Sequence, residues 1–245
     1  MSKKLILFSG GMDSLAIMIE YKDKYGVENI ISLGINYGQR HFGMENKAAD
    51  SFCRKFGIKR VVLGVDIAQI GGCSLVDRTK EVTKDMTKQR STVVPQRNAI
   101  FLLFAAAYAQ ENDCDTIVHG ACLEDEAAYR DCREVFFRQM EIAIQAGRTQ
   151  PIKGDENILD DLTKYGELPA NKLDIKIETP LIDERKEETL KRIVDKYGVG
   201  VYEDSYTCYN GGEISCGECP ACVERLNAFK ANSLKDPLNY SFRND

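Results

Sequence analysis

No apolar run in this 245-residue chain approaches the ~20 residues of a membrane-spanning helix; the longest, residues 101–109, is far too short. The opening residues Met1-Ser2-Lys3-Lys4 carry two lysines but no apolar stretch of signal-peptide length, so a cytoplasmic location is expected. A basic excess is missing too. The 33 Lys and Arg stand against 38 Asp and Glu, a net charge of −5, which lacks the electrostatic footprint of a nucleic-acid binder. Neither a direct nucleic-acid partner nor a membrane partner is expected. Histidine is scarce, with only His41 and His119, and no nucleophile–histidine–acid triad is evident. Each histidine reads first as structural, His119 more so than His41. No G-x-x-x-x-G-K-[ST] occurs and no G-x-G-x-x-G, which excludes the Walker A and dinucleotide loops. Internal repeats and low-complexity tracts are absent. The length suffices for one large domain with a substantial core, or a domain plus an appendage.

What is present begins at Leu7-Phe8-Ser9-Gly10-Gly11-Met12-Asp13-Ser14. A short apolar run, residues 5–8, leads into it, and a helix-patterned run, residues 15–25, follows. Strand, tight Gly-Gly turn and helix start in that order make a device for holding phosphate. Glycines let the backbone approach an anion, hydroxyls donate to it, and the helix N-terminus offers unpaired N–H groups and partial positive charge. The plain alternative is a helix N-terminus capped by Asp13 or Ser14. S-G-G-x-D-S resembles the PP-loop of ATP pyrophosphatases, enzymes that activate an oxygen-bearing group by adenylation. Phe8, Ser9, Gly10, Gly11, Met12, Asp13 and Ser14 are therefore candidate ATP-binding residues. Ser9, Gly10, Gly11 and Ser14 are expected to cradle the phosphates, with Met12 offering a backbone N–H. Asp13 either carries Mg²⁺ or orients the loop; the metal is expected because attack on a polyanion needs its charge neutralised.

Strand and helix signals then alternate. Strands are expected at residues 5–8, 30–35, 60–66, 116–119 and 175–179, and helices at 15–25, 44–56, 97–110, 135–147 and 186–197. That alternation implies a parallel α/β sheet with helices on both faces, whose ligands sit at the carboxyl ends of the strands. Residues 67–94 form a connection longer than usual, expected to be functional, mobile or both. Residues 148–173 are polar and read as an inserted surface excursion with one short helix near 158–165. The expected division is a nucleotide-binding catalytic domain over residues 1–200 and a metal-binding segment over 201–245 packed on it. The last residues read as a terminal helix and a loose tail.

The nine cysteines fall into two sets. Cys53, Cys73, Cys114, Cys122 and Cys132 are scattered and read as small core residues. Cys208, Cys216, Cys219 and Cys222 lie within fifteen residues. Two-residue gaps let neighbouring sulfurs converge on one ion, and Gly211, Gly212 and Gly217 supply the turns. Pro220 is expected to start a helix with Cys222 in its first turn. Four thiolates leave no open position for catalytic water, so the site reads as structural zinc. An iron–sulfur cluster also suits four cysteines, but nothing else here suggests redox chemistry.

Three further segments join these two. They are Asn36-Tyr37-Gly38-Gln39-Arg40-His41 with Glu45, Val94-Pro95-Gln96-Arg97-Asn98 with Phe101, and Tyr129-Arg130-Asp131-Cys132-Arg133 with Phe136. With S-G-G-M-D-S and the terminal C-Y-N-G-G…C-G-E-C-P-A-C…R, the chain resembles the 7-cyano-7-deazaguanine synthase family, in order and over nearly its whole length except residues 148–173. The resemblance implies a Rossmann-like PP-loop fold of the adenine nucleotide alpha hydrolase kind, a small C-terminal zinc knuckle and a homodimer. It implies an ATP-dependent ligase that turns 7-carboxy-7-deazaguanine and ammonia into the nitrile, through an activated carboxylate and an activated amide, in queuosine or related deazaguanine biosynthesis. Within it, Asp13, Arg97 and Asp131 are the candidate catalytic residues. Arg97, Asn98, Tyr129, Asp131 and Arg133 are the candidates for substrate binding. Arg97 could grip pyrophosphate or the substrate carboxylate bidentately, against the helix dipole that disfavours it there. Asp131 would accept from the guanidine-like edge of the base, and Tyr129 would stack on it. Arg40 and His41 are expected near the nucleotide or at a subunit contact. With no glutaminase domain evident, ammonia comes free or from a partner.

One run departs from the family. The usual D-x-S-G-Y-P-D-C-R reads Asp125-Glu126-Ala127-Ala128-Tyr129-Arg130-Asp131-Cys132-Arg133 here. Ala127, Ala128 and Arg130 replace serine, glycine and proline beside the expected base pocket. A divergent member acting on a related deazapurine for DNA modification is one rival. A PP-loop tRNA-modifying ligase or thiolase is another, opposed by the acidic balance and the closed four-cysteine set. A zinc-ribbon module on a nucleotide-sensing domain is a third, predicting binding without turnover.

Overall fold

The computed structural model describes residues 2–70, 72–85, 91–147 and 175–242. Five strands form one parallel sheet: β1 (Lys3–Leu7), β2 (Ile30–Asn36), β3 (Lys59–Gly64), β4 (Cys114–Val118) and β5 (Lys176–Glu178), in the order β3-β2-β1-β4-β5. The central strands are mostly apolar because both sheet faces are covered, with Lys3, Lys4 and Asp115 at their amino ends. Successive residues of β1 separate the two layers, as the two-residue pleat requires. Ile6 packs with Leu15, Met18, Leu190, Ile193 and Phe229, whereas Leu5 packs with Leu102, Ala105, Ile117, Phe137 and Ile144.

Among the described residues the helices are α1 (Met12–Tyr25), α2 (Phe42–Phe56), α3 (Arg97–Glu111), α4 (Leu123–Ala128), α5 (Glu134–Ala146), α6 (Lys186–Tyr197) and α7 (Pro220–Ala231). The first core holds α1, α6 and α7, and the second holds α3 and α5. The fold is thus the expected α/β, Rossmann-like arrangement. Strand order reverses direction between β1 and β4, so a crevice opens at their carboxyl ends, where such sheets bind ligands. The loop after β1 lies there.

Expected and observed elements agree to within a few residues, with one addition. The six residues of α4 carry too little periodicity to be legible. The long connection after β3 is packed rather than free in its described part. Ile67, Cys73, Leu75, Val76 and Val94 form a cluster with Tyr37. The Arg40 guanidinium fastens it by donating to the carbonyls of Asp77 (2.8 Å) and Lys80 (2.7 Å). The polar stretch after α7 is not loose through residue 242. Ser241 donates its N–H to the Ser215 carbonyl at 2.9 Å, and Asp236 is buried against Arg225. Arg225, with no exposed surface, donates to Asp236 through Nε (2.7 Å) and Nη2 (3.0 Å) and to Ser205 through Nη1 (2.6 Å). That fork-to-carboxylate pairing offsets the desolvation of the charge. The expected excursion at 148–173, with its helix near 158–165, lies outside the described residues.

Candidate active site and cysteine cluster

A cavity of about 260 Å³ opens over the carboxyl ends of β1, β2 and β4. The phosphate loop forms its floor. Phe8 follows β1 and is fixed by its N–H to the Leu33 carbonyl at 2.9 Å. Gly10 takes φ +90°, and a Cβ there would meet the Glu45 carbonyl at 2.8 Å and the Ala49 nitrogen at 2.9 Å. Only glycine fits a loop pressed this closely onto α2. Gly11, not Asp13 or Ser14, is the N-cap of α1, and no side chain caps it. The Ser14 hydroxyl instead donates to the Gly11 carbonyl (3.1 Å) and lies 3.2 Å from the Ser9 hydroxyl. The first-turn N–H groups of α1 are therefore left facing the cavity, the arrangement that receives phosphate.

Phe8, Ser9, Gly11, Met12, Asp13 and Ser14 line the cavity, and Gly10 lies behind it. Arg97, Asn98 and Tyr129 are on the wall, and so are both histidines, including His119, which the sequence reads as structural. Tyr37, Phe101, Tyr129 and Tyr209 make one side aromatic around Arg97, whose guanidinium lies 6.0 Å from the Tyr129 ring centroid. Burial pushes the Tyr37 hydroxyl up to about 12, so it stays protonated, and its oxygen accepts from the Arg97 guanidinium. Burial pulls His119 down to about 4, with the Arg97 charge adding to the effect. Its Nδ1 accepts the Ala121 N–H at 3.1 Å, which suits a neutral ring. Burial likewise lowers His41.

Asp131 and Arg133 are not on the cavity wall. A 3₁₀ turn, Arg130–Cys132, aims the Asp131 carboxylate at the start of α3. Its Oδ2 accepts the Asn98 N–H at 3.3 Å, and its carbonyl accepts from Asn98 Nδ2 at 2.9 Å. A carboxylate at a helix N-terminus is favourable there. Arg133 is exposed as the N-cap of α5.

Several wall residues escape sequence reasoning. Lys186, the first residue of α6, is 7% exposed. Its ammonium lies 3.2 Å from Asp13 Oδ2 and 3.5 Å from both Asp125 Oδ1 and Glu224 Oε2. Burial alone would lower its pKa, but these carboxylates raise it well above the usual lysine value. The phosphate loop has no lysine of its own; the cation arrives from 173 residues away. Asp13 Oδ1 is buried and meets no hydrogen-bond donor among the described residues, so a hard cation fits beside it. On the β2 side, Arg60 donates to the Phe8 carbonyl (3.1 Å) and the Ser32 hydroxyl (2.8 Å) and lies across Gly34.

The cysteine cluster adjoins this cavity. The sulfurs of Cys208, Cys216, Cys219 and Cys222 all lie within 4.8 Å of one another and could hold a metal ion. A tetrahedral ion with metal–sulfur bonds of ~2.3 Å would set sulfurs about 3.8 Å apart, and Cys216 and Cys222 are 3.9 Å apart. Backbone N–H groups point at the sulfurs: Cys216 to Cys208 Sγ, and Glu218 and Cys219 to Cys216 Sγ. The five scattered cysteines are buried as expected, although Cys132 reaches the cavity wall and Cys122 lies 3.3 Å from the Lys186 ammonium.

A parallel sheet carrying strand–SGGMDS–helix at its switch point defines a PP-loop nucleotide-binding α/β protein. Residues 3–233 match the family described as queuosine biosynthesis protein QueC, and the chain belongs to that family. It is 34% identical over 247 residues to the 7-cyano-7-deazaguanine synthase of Psychromonas ingrahamii, covering 98% of this chain and 99% of that one. It is 31% identical over 243 residues to the protein of the same name from Thermoplasma volcanium, covering 98% and 91%. Among solved structures, the U34-tRNA thiolase NcsA from Methanococcus maripaludis with its [4Fe-4S] cluster is similar at 18% identity, with a TM-score of 0.47 over 95% of this chain and 65% of that one. No helix among the described residues is long and apolar enough to cross a membrane.

Proposed function

We propose that the chain is an ATP-dependent ligase converting 7-carboxy-7-deazaguanine and ammonia into 7-cyano-7-deazaguanine through two adenylations. The observation that carries this reading is a single cavity joining the phosphate loop to Arg97 and an aromatic wall. Family membership and the relatives' names support it.

In the first half-reaction a carboxylate oxygen of the substrate attacks the α-phosphorus of ATP, and pyrophosphate leaves. Ammonia then attacks the acyl carbon, AMP departs with the oxygen, and an amide results. In the second, the amide oxygen attacks the α-phosphorus of another ATP. Loss of AMP and of the nitrogen's protons leaves the nitrile. The Ser9–Ser14 loop and the α1 N-terminus hold the phosphates, and Lys186 supplies the cation that faces the departing pyrophosphate. Arg97 orients the substrate carboxylate against the α-phosphorus, and Asp131 fixes Arg97 indirectly through Asn98. Asp13 is the residue that would hold Mg²⁺, which neutralises phosphate charge when bound. Cys208, Cys216, Cys219 and Cys222 would hold a structural zinc that folds the knuckle. A homodimer in the cytoplasm completes the reading, and size-exclusion chromatography with light scattering checks the dimer.

Purified protein incubated with ATP, Mg²⁺, ammonium and 7-carboxy-7-deazaguanine should give the nitrile by mass spectrometry, with two AMP per nitrile. Bound ATP and metal with no nitrile would refute the reading.

A further inference from the structure

We infer that His119 donates through its Nε2–H to the acyl oxygen of the adenylated substrate and stabilises the oxyanion formed when ammonia attacks, an inference resting on the nitrile-synthase reading above. The residue follows β4 directly, at the switch point where the cavity opens, and lies on the cavity wall. Three contacts fix it. Its backbone N–H donates to the Glu178 carbonyl at 2.9 Å, its Nδ1 accepts the Ala121 N–H at 3.1 Å, and its ring lies against Phe137 with centroids 5.0 Å apart. A ring nitrogen that accepts a backbone N–H holds no proton, so in the neutral ring the proton sits on Nε2. Nε2 meets no protein acceptor among the described residues and is not enclosed by protein, which leaves it open to the cavity. The ring is thereby a donor in one fixed tautomer. It is not a base, because freeing Nε2 would move the proton to Nδ1 and set it against the Ala121 N–H.

Its neighbours place that donor beside the reacting bond. The charged groups acting on the ring are Asp125, which faces the Lys186 ammonium at 3.5 Å, and Arg97, which suits the substrate carboxylate. The next residue, Gly120, abuts the first turn of α1, where an added Cβ would lie 3.6 Å from the Ser14 nitrogen. His119 therefore adjoins both the carboxylate side and the phosphate side of the cavity. In the amide-forming step the ammonia lone pair makes the C–N bond and the carbonyl π pair moves onto oxygen. When that pair returns, the bridging C–O bond breaks, AMP leaves with the bridging oxygen, and one nitrogen proton passes to water. Negative charge resides on the acyl oxygen only in between, and a fixed N–H aimed there stabilises it without reorganisation. The nitrile-forming step has no such oxyanion. Its carbon keeps one oxygen, which is bonded to AMP and leaves with it.

Single-turnover kinetics on the two halves separate this role from a structural one. Given 7-carboxy-7-deazaguanine, ATP and ammonium, His119→Asn should form the amide about 10²- to 10³-fold more slowly than the wild type, with the pyrophosphate burst unchanged. Given the amide and ATP, the same variant should form the nitrile within about twofold of the wild-type rate. His119→Gln, whose amide N–H₂ extends to the Nε2 position, should recover most of the lost rate, and His119→Leu should not. Leucine carries the comparison if the asparagine variant does not fold. Equal slowing of both halves in variants with wild-type circular dichroism, an unslowed amide-forming half, or leucine performing as well as glutamine overturns the inference and leaves the nitrile reading standing. If the wild type makes no nitrile from the acid, the reading itself fails and takes this inference with it.

Discussion

The backbone N–H of Tyr206 donates to the carbonyl of Gly10 at 2.9 Å, tying the phosphate loop to the strand of chain that enters the cysteine cluster two residues later. The Tyr206 side chain packs with Cys208, Cys219 and Cys222, and its hydroxyl donates to the Gly212 carbonyl at 2.9 Å. Tyr209, directly after Cys208, and Glu224, two residues after Cys222, both face the cavity. The cluster therefore shapes one wall of the cavity.

Metal removal should weaken ATP binding before it destroys the sheet. Losing the Tyr206–Gly10 bond and its preorganisation is worth about 1.5 kcal/mol, or roughly tenfold in Kd. Dialysis against a chelator, followed by calorimetric titration with a non-hydrolysable ATP analogue, reads the affinity. Far-UV circular dichroism should keep most of the helical signal, because neither of the two cores that flank the sheet contains any of the four cysteines. Unchanged affinity in metal-free, folded protein would sink the coupling.

Gly10→Ala should be far more damaging than Gly43→Ala. At Gly10 the new methyl would strike backbone of α2 at 2.8 and 2.9 Å, at φ +90°, and neither obstacle is a movable side-chain tip. About 1–3 kcal/mol of strain is expected, with loss of ATP binding. Gly43 lies within α2 with nothing within 4 Å of its added Cβ, so alanine there should stabilise by about 0.5–1 kcal/mol. Urea unfolding of both variants provides the comparison.

Strand, loop and helix at residues 3–25 were legible because the phosphate device is local: an apolar run, two glycines and a helix start within a few residues. The four cysteines were legible for the same reason. Lys186 was not, since nothing near it in sequence announces a phosphate site; it reaches Asp13 only when α6 packs against α1. Asp131 was misplaced for the converse reason. Its neighbour Tyr129 does reach the cavity, but the intervening 3₁₀ turn swings the carboxylate onto α3, and Asp125 from the same run reaches the wall instead. Periodicity assigns a residue to an element; it does not say which way a short turn sends a side chain.

Lys186→Met should lower kcat by about 10²- to 10³-fold, the usual effect of removing one charge-stabilising group from a reacting centre. Methionine preserves the apolar stem that packs beneath the cavity, so the packing loss is small. Arginine at this position should not rescue, because a planar fork cannot sit among Asp13, Asp125 and Glu224 as a compact ammonium does. Pre-steady-state release of pyrophosphate is the decisive measurement: the burst should slow in parallel with kcat, whereas a purely structural role for Lys186 would leave it fast.

His119 should make the protein lose stability on mild acidification. Burial holds its folded pKa at about 4, against about 6.5 in the unfolded chain. Between those values the unfolded state binds the extra proton, so stability falls as pH falls, and the full contribution is present above pH 6.5. From pH 7 to pH 5 the linkage amounts to about 2 kcal/mol. His119→Asn keeps an acceptor for the Ala121 N–H and does not titrate. Urea unfolding at the two pH values should therefore show the variant losing about 2 kcal/mol less than the wild type. Carboxylates and the cysteine cluster contribute equally to both proteins and cancel in the difference. Parallel losses would mean that His119 takes up its proton in the folded state, and that the ring is not the neutral acceptor its contact with Ala121 describes.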